Sequence, residues 1–347
     1  MLIGTARCLA LPNLQEALPS FNKFQEKNEA ELKQWEEIKA LKASISELIY
    51  KKNYEQAVED LKKLIPLSAP YPYAEILNTL YLGDLSTQLK NKEEAIEAYK
   101  TGISKYEKFL NQNYSVEFEK SFIKTCRVVG SYIEKYGDYQ EAIKIYRKGL
   151  QSSRNIKDTG YEKLLLGDLA IIHGENGLYK EAIDFGSQNE KLSKGDDKAL
   201  LDIYNGMSYR YAKMGESSKA TKYLKKGEKL AIKLDNQAIL ASIYDNYGEN
   251  YYSDKQYELA EEYFQKASNI LMVTKKSEAI FYKNLGKTKI KLNKPQEACL
   301  SLDKAERIFR ALDLKLFIDE TLGYSQEAKC KSTPEAKAPS EEPTTED

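Results

Sequence analysis

Proline is missing between Tyr73 and Lys294, about two thirds of a 347-residue chain. A proline inside a helix removes one hydrogen bond and clashes with the preceding turn, so its absence permits near-continuous helix. Histidine occurs once, at His173. One histidine cannot make a two-histidine metal site or an HExxH zinc motif, and no GxSxG elbow accompanies it. Phosphate-cradling loops of the GxGxxG or GxxxxGK[ST] kind are absent as well. The four cysteines, Cys8, Cys126, Cys299 and Cys330, form no CxxC pair. That spacing argues against a zinc site and a disulfide framework, and fits a reduced compartment. Neither sign of charge is in surplus, with 53 basic and 53 acidic residues. A nucleic-acid partner, which calls for a basic excess to neutralise phosphates, is therefore not expected.

Long apolar runs are lacking too. No stretch approaches the roughly 20 residues that span a bilayer. At the N-terminus, MLIGTARCLALPNLQEALPS, Arg7 splits the apolar run and Pro12 ends it. A secretory signal needs an uninterrupted run after a basic start, so a cytoplasmic location is expected, and a secreted one only if this is a truncated signal.

What is present is a repeat. An alanine recurs in similar surroundings at Ala57, Ala95, Ala142, Ala182, Ala220, Ala260 and Ala298, at intervals of 38, 47, 40, 38, 40 and 38 residues. Twelve residues before each stands Ile45, Gly83, Gly130, Ala170, Ser208, Gly248 or Gly286, six of them small. Paired small residues let the axes of two antiparallel helices approach. One turn beyond each alanine come Leu61, Tyr99, Tyr146, Gly186, Leu224, Phe264 and Leu302. Only Gly186 breaks the bulky pattern, so either looser packing or a different curvature of the array is expected there. YGDY at 136–139 and ENGLY at 175–179 supply turn residues, and Pro295 suits the first turn of a helix.

The segments VGSYIEKYGDYQEAIKIYRKGL (129–150) and YGENYYSDKQYELAEEYFQKA (247–267) resemble the tetratricopeptide (TPR) family. The small–aromatic–alanine–aromatic order of its motif is kept. The family unit is about 34 residues, so a spacing nearer 40 is similar to its longer subclass. The resemblance implies an all-α fold, a right-handed superhelical solenoid of antiparallel helix hairpins. The expected layout is an irregular segment at 1–20, an array of about seven helix pairs at 21–313, a capping helix at 314–328 and a disordered tail at 329–347. Leu32, Trp35, Ile38 and Leu41 or Lys42 form the seam of the leading helix. The tyrosines, 26 in all, fall mostly at repeating slots, as core first and binding surface second.

In such a stack the first helix of each pair faces a groove. Counting outward from the small residues predicts groove positions Lys124 and Arg127, then Asp202, Asn205, Tyr209, Asp245, Asn246, Glu249 and Tyr252, then Lys283, Asn284 and Lys287. Asn205, Asn246 and Asn284 fall at one step per repeat. A carboxamide both donates and accepts, so such a ladder suits the backbone of an extended peptide. His173 falls at a core position, and the paired carboxylates Glu93/Glu94 and Glu261/Glu262 on solvated faces. The expectation is a scaffold without enzyme activity or cofactor that binds a protein or peptide. The alternative is a peptide-sensing regulator whose array changes shape on binding, and a third reading is an enzyme's accessory domain. No set of Lys, Asn and Arg over three consecutive units matches a chaperone-tail clamp.

Overall fold

The computed structural model describes residues 29–270 and 274–330. The described residues are all-helical, with fifteen helices and no strand. They fall into two compact units, 1–176 and 177–347. The expected irregular segment at 1–20, Cys8 and the tail beyond Cys330 lie outside the described residues.

Unit 1 holds α1 (Glu29–Tyr50), α2 (Tyr54–Leu67), α3 (Pro72–Gln88), α4 (Lys92–Gln112), α5 (Val116–Lys135), α6 (Tyr139–Asn155) and α7 (Thr159–Glu175). Consecutive helices pack as hairpins α1/α2, α3/α4 and α5/α6, and α7 packs on α6. Unit 2 holds α8 (Tyr179–Leu192), α9 (Asp197–Lys213), α10 (Ser217–Lys233), α11 (Gln237–Ser253), α12 (Tyr257–Ser268), α13 (Lys275–Lys291), α14 (Pro295–Ala311) and α15 (Lys315–Glu327). Here α9/α10, α11/α12 and α13/α14 pair, α8 packs on α9, and α15 lies against α14 and α13.

The turn inside each hairpin is built one way. A single residue in left-handed backbone, such as Lys52, Lys90, Gly137, Gly215 or Lys255, follows the helix and precedes the next N-cap. The N-cap amide then reaches back to a carbonyl five residues earlier, as in Asn91 N to Ser86 O at 2.9 Å and Gln256 N to Tyr251 O at 2.9 Å. This closure satisfies carbonyls that the helix end would leave bare. Asn53, Asn91 and Asp138 also accept the Gln56, Glu94 and Glu141 amides at the start of the following helix.

All seven register alanines are wholly buried. The small residues serve a neighbour the spacing alone did not identify. A Cβ placed on Gly83, Gly130 or Gly248 would meet the ring of Tyr99, Tyr146 or Phe264 at 2.5 Å, and on Gly286 the Leu302 side chain at 2.6 Å. The glycine therefore makes room for the bulky residue one turn past the alanine, whose side chain lies on the bare backbone. Gly186, expected to pack loosely or to change the array's curvature, is compensated from outside its hairpin. Met207 of α9 fills that place, fully buried, with its Sδ 2.6 Å from where a Gly186 Cβ would stand. His173 is buried, with Nδ1 2.8 Å from the Leu169 carbonyl, which requires the proton on Nδ1. Trp35 is buried, its ring 5.9 Å from that of Tyr71.

The cysteine reading needs correction. Cys299 of α14 and Cys330 beyond α15 form a disulfide, with Cα atoms 5.4 Å apart. They are 31 residues apart in sequence, and only the return of α15 along α14 brings them together. Cys126 is free and buried, and burial pushes its thiol pKa up.

Candidate partner-binding face

In unit 2 the side chains of α9, α11, α13 and α15 meet one another at one step per repeat. Asn246 of α11 donates Nδ2–H to Asn205 Oδ1 of α9 at 2.8 Å, and Asn205 in turn donates to Ser242 Oγ at 3.2 Å. Asn284 of α13 donates to Asp245 Oδ1 of α11 at 3.0 Å. Lys287 reaches Glu249 at 2.9 Å, its ammonium 4.2 Å from the centre of the Tyr252 ring. Lys283 reaches Glu320 of α15 at 2.7 Å. Of the predicted positions in this unit, Asp202 and Tyr209 are exposed. Asn205, Asp245, Asn246, Glu249, Tyr252 and Lys287 are half-buried.

Lys283 and Asn284 differ from expectation, because both are buried rather than facing a groove. The cause is their neighbours: α15 supplies Glu320 to the lysine, and α11 supplies Asp245 to the amide. Burial pushes the Asp245 carboxyl pKa up to about 7, with Glu249 adding to the rise. The Asn284 hydrogen bond and then Lys287 and Lys283 pull the other way. The Tyr252 phenol is raised to about 12, again chiefly by burial.

In unit 1, Lys124 is exposed and Arg127 is half-buried. Arg127 makes a two-pronged contact with Asp168 of α7, Nε to Oδ2 at 2.6 Å and Nη2 to Oδ1 at 3.3 Å. Fork-on-carboxylate pairing of this kind is directional, and it fixes α5 against α7. The same face of α7 exposes Leu164 and Ile171.

Counting from the small residues found both members of the Asn205–Asn246, Asp245–Asn284 and Glu249–Lys287 contacts, but only one member of three others. Asp168, Ser242 and Glu320 were not singled out. The signal for two of them was available: each salt bridge joins opposite charges one repeat apart, 41 residues for Arg127 and Asp168 and 37 for Lys283 and Glu320.

Hairpins of this register, stacked through small residues, define a helical-repeat protein. The tetratricopeptide repeat family model matches residues 82–104 and 241–270, and the described helix hairpins have the tetratricopeptide-repeat fold. No curated protein matches it in sequence. Among solved structures it is similar to a tetratricopeptide repeat protein from Parabacteroides merdae ATCC 43184. The identity is 14%, the TM-score 0.54, and 83% of this chain and 99% of the other are covered. It is also similar to BtubC (BKLC) from P. vanneervenii, at 20% identity and TM-score 0.54, covering 64% of this chain and 92% of that one. A third likeness is to a signal-transduction ATPase with a tetratricopeptide repeat sensor from Pyrococcus horikoshii. That match has 18% identity and TM-score 0.57, and covers 84% of this chain but 44% of the other.

Proposed function

We propose that the chain is an interaction scaffold that holds a peptide or protein partner against the first helices of unit 2. One observation carries this reading: the amide pair Asn205–Asn246, half-buried on that face, flanked by exposed Asp202 and Tyr209. Each carboxamide has two N–H donors and an oxygen with two lone pairs. Asn246 gives one N–H to Asn205, and Asn205 one to Ser242, so capacity remains for the backbone of an extended segment. A basic residue of the partner would meet Asp202 and Glu249, and Lys287 would take an acidic one. Lys283 and Asn284, being buried, brace the face and do not touch the partner. The reading includes no catalytic step.

The test starts by isolating a partner through affinity capture from the native cell and mass spectrometry, then titrating it calorimetrically. Asn246→Ala and Lys287→Glu should each weaken binding tenfold or more. Affinity unchanged by both would sink the reading.

The regulator alternative draws on the same pairs. A ligand that competes for Asn205 and Asn246 also loosens the tie between α9 and α11. A fall in radius of gyration on adding the partner, measured by X-ray scattering, would favour the regulator over a static scaffold. The Cys299–Cys330 disulfide supports oxidising surroundings, the secreted arm of the expectation and not the cytoplasmic one.

A further inference from the structure

Helix α15 is held to unit 2 less firmly than its neighbours. Every other helix of the unit has at least three buried residues, and α15 has one, Thr321. Gly323 takes the slot of Gly248 and Gly286, yet a Cβ there would meet nothing within 4 Å. Half-buried Phe317, Ile318 and Tyr324 pack toward α13 and α14. Two further ties fix the helix. Along its length, Glu320 and Glu327 take the α13 lysines Lys283 and Lys291, at 2.7 and 2.9 Å. At its end, Cys330 is bonded to Cys299 of α14.

Lys283, Lys287 and Lys291 stand four residues apart and so form one stripe along α13. Glu249 of α11 meets Lys287, and α15 meets the other two. An acidic segment of the chain thus sits on a basic one. Lys283 is 8% exposed because Glu320 and the Phe317 ring, centred 5.5 Å from its ammonium, cover it. Glu320, Glu327 and Lys291 are exposed. Ion pairs at an exposed surface add little net stability, so another acidic segment can take these lysines at small cost.

The bridge opposes that exchange. Both cysteines are half-buried and border a cavity of about 910 Å³ between α14 and the end of α15, in the size range of small-molecule sites. With the bond closed, the end of α15 cannot leave α14. With it open, α15 depends on one buried residue, half-buried side chains and exposed ion pairs, the marks of a segment that opens locally.

We propose that α15 is a redox-latched lid over the α13 lysine stripe, and that reduction of Cys299–Cys330 opens the stripe to an acidic peptide segment. This rests on the reading of the unit 2 first helices as the partner-binding face, and adds its regulation. In the unlatching step one thiolate of a dithiol attacks a bridge sulfur and the S–S bond breaks. The second thiolate then closes the dithiol's own disulfide, and two electrons and two protons leave both cysteines as thiols. Lys283, a brace in the bridged chain, is then released with Lys291 to meet the acidic segment.

The full chain is titrated calorimetrically with acetylated, amidated hexaglutamate before and after treatment with dithiothreitol. Binding at least fivefold tighter after reduction is expected, and Cys299→Ser should match the reduced chain without reductant. Lys283→Gln combined with Lys291→Gln should remove the gain. A reduced chain that binds no tighter, or a gain that survives both lysine substitutions, overturns the proposal. Hydrogen exchange reads the lid without ligand: reduction should deprotect α15 and leave α13 and α14 protected. Protection lost through α13 and α14 as well would make the bridge a staple of the fold and overturn the lid. The scaffold reading fails separately, through a native partner whose affinity ignores Asn246→Ala and Lys287→Glu.

Discussion

In unit 1, helices α5 and α7 are joined by the Arg127–Asp168 pair, and the hairpin ends close over an aromatic cluster. Tyr73, Tyr106, Phe109, Phe118 and Phe122 meet there with ring centres 4.9–6.4 Å apart. In unit 2 the aromatic core is tyrosine, with Tyr247, Tyr251 and Tyr263 stacked at 4.6–6.3 Å and Lys266 4.4 Å above Tyr263. There the first helices are tied by amides and ion pairs at every step. An apolar ring cluster has nothing to exchange with an incoming polar chain. A line of half-buried hydrogen bonds can trade one partner for another at little net cost, because each bond contributes only about 1 kcal/mol. The same scaffold is thus held firmly in one unit and exchangeably in the other.

That contrast can be broken most sharply through pH. Asp84 in unit 1 is buried, accepts the Tyr99 hydroxyl at 2.7 Å, and has its carboxyl pKa pushed up to about 7 by desolvation. Between about pH 4 and 7 the folded chain keeps this proton while the unfolded chain has lost it. Stability is therefore fully present below pH 4 and falls as pH rises to 7, by up to about 1.4 kcal/mol per pH unit. Asp84→Asn still accepts from Tyr99 and should flatten that slope in urea melts followed across pH. Asp245→Asn in unit 2 should flatten it to a similar extent, because burial pushes that carboxyl up to about 7 as well. A slope left unchanged by either variant would show that its carboxyl does not carry the effect.

The next effect belongs to unit 2. Opening the Cys299–Cys330 bridge frees a loop whose closure contributes about 3.5 kcal/mol on the chain-entropy account. Cys299→Ser should speed hydrogen exchange in α15 and leave α3 to α6 unchanged. Protection of α15 equal to that of the bridged chain would show that packing alone holds this end.

The smallest effect tests what the units share. Lys90 and Lys255 hold the left-handed turn position at φ 59° and 60°, where a side chain is strained and glycine is not. Lys90→Gly and Lys255→Gly should each stabilise by roughly 0.5–1 kcal/mol, the relief being offset in part by glycine's larger unfolded entropy. Gains differing by more than twofold in denaturant unfolding would show that the two turns are not equivalent.

Much of the fold was legible because its determinants are local. The alanine register, the turn residues and Pro295 at the start of α14 all act within a few residues of themselves. What escaped depends on neighbours one or more helices away. Gly186 read as a defect until Met207 supplied the missing bulk from α9. Lys283 and Asn284 read as outward-facing because their slots in the repeat are outward, and the covering by α11 and α15 is a property of the stack. The spacing read Asn205, Asn246 and Asn284 as one ladder, but not that Asn246 would donate to Asn205.

The disulfide also decides how the chain bears load. Tension applied at its C-terminal end enters at Cys330 and passes through sulfur to Cys299, near the start of α14. The thirteen residues of α15 are thereby bypassed and cannot be peeled away first. An anchored or stretched molecule would yield at the α13/α14 hairpin before its last helix, and after reduction that order would reverse.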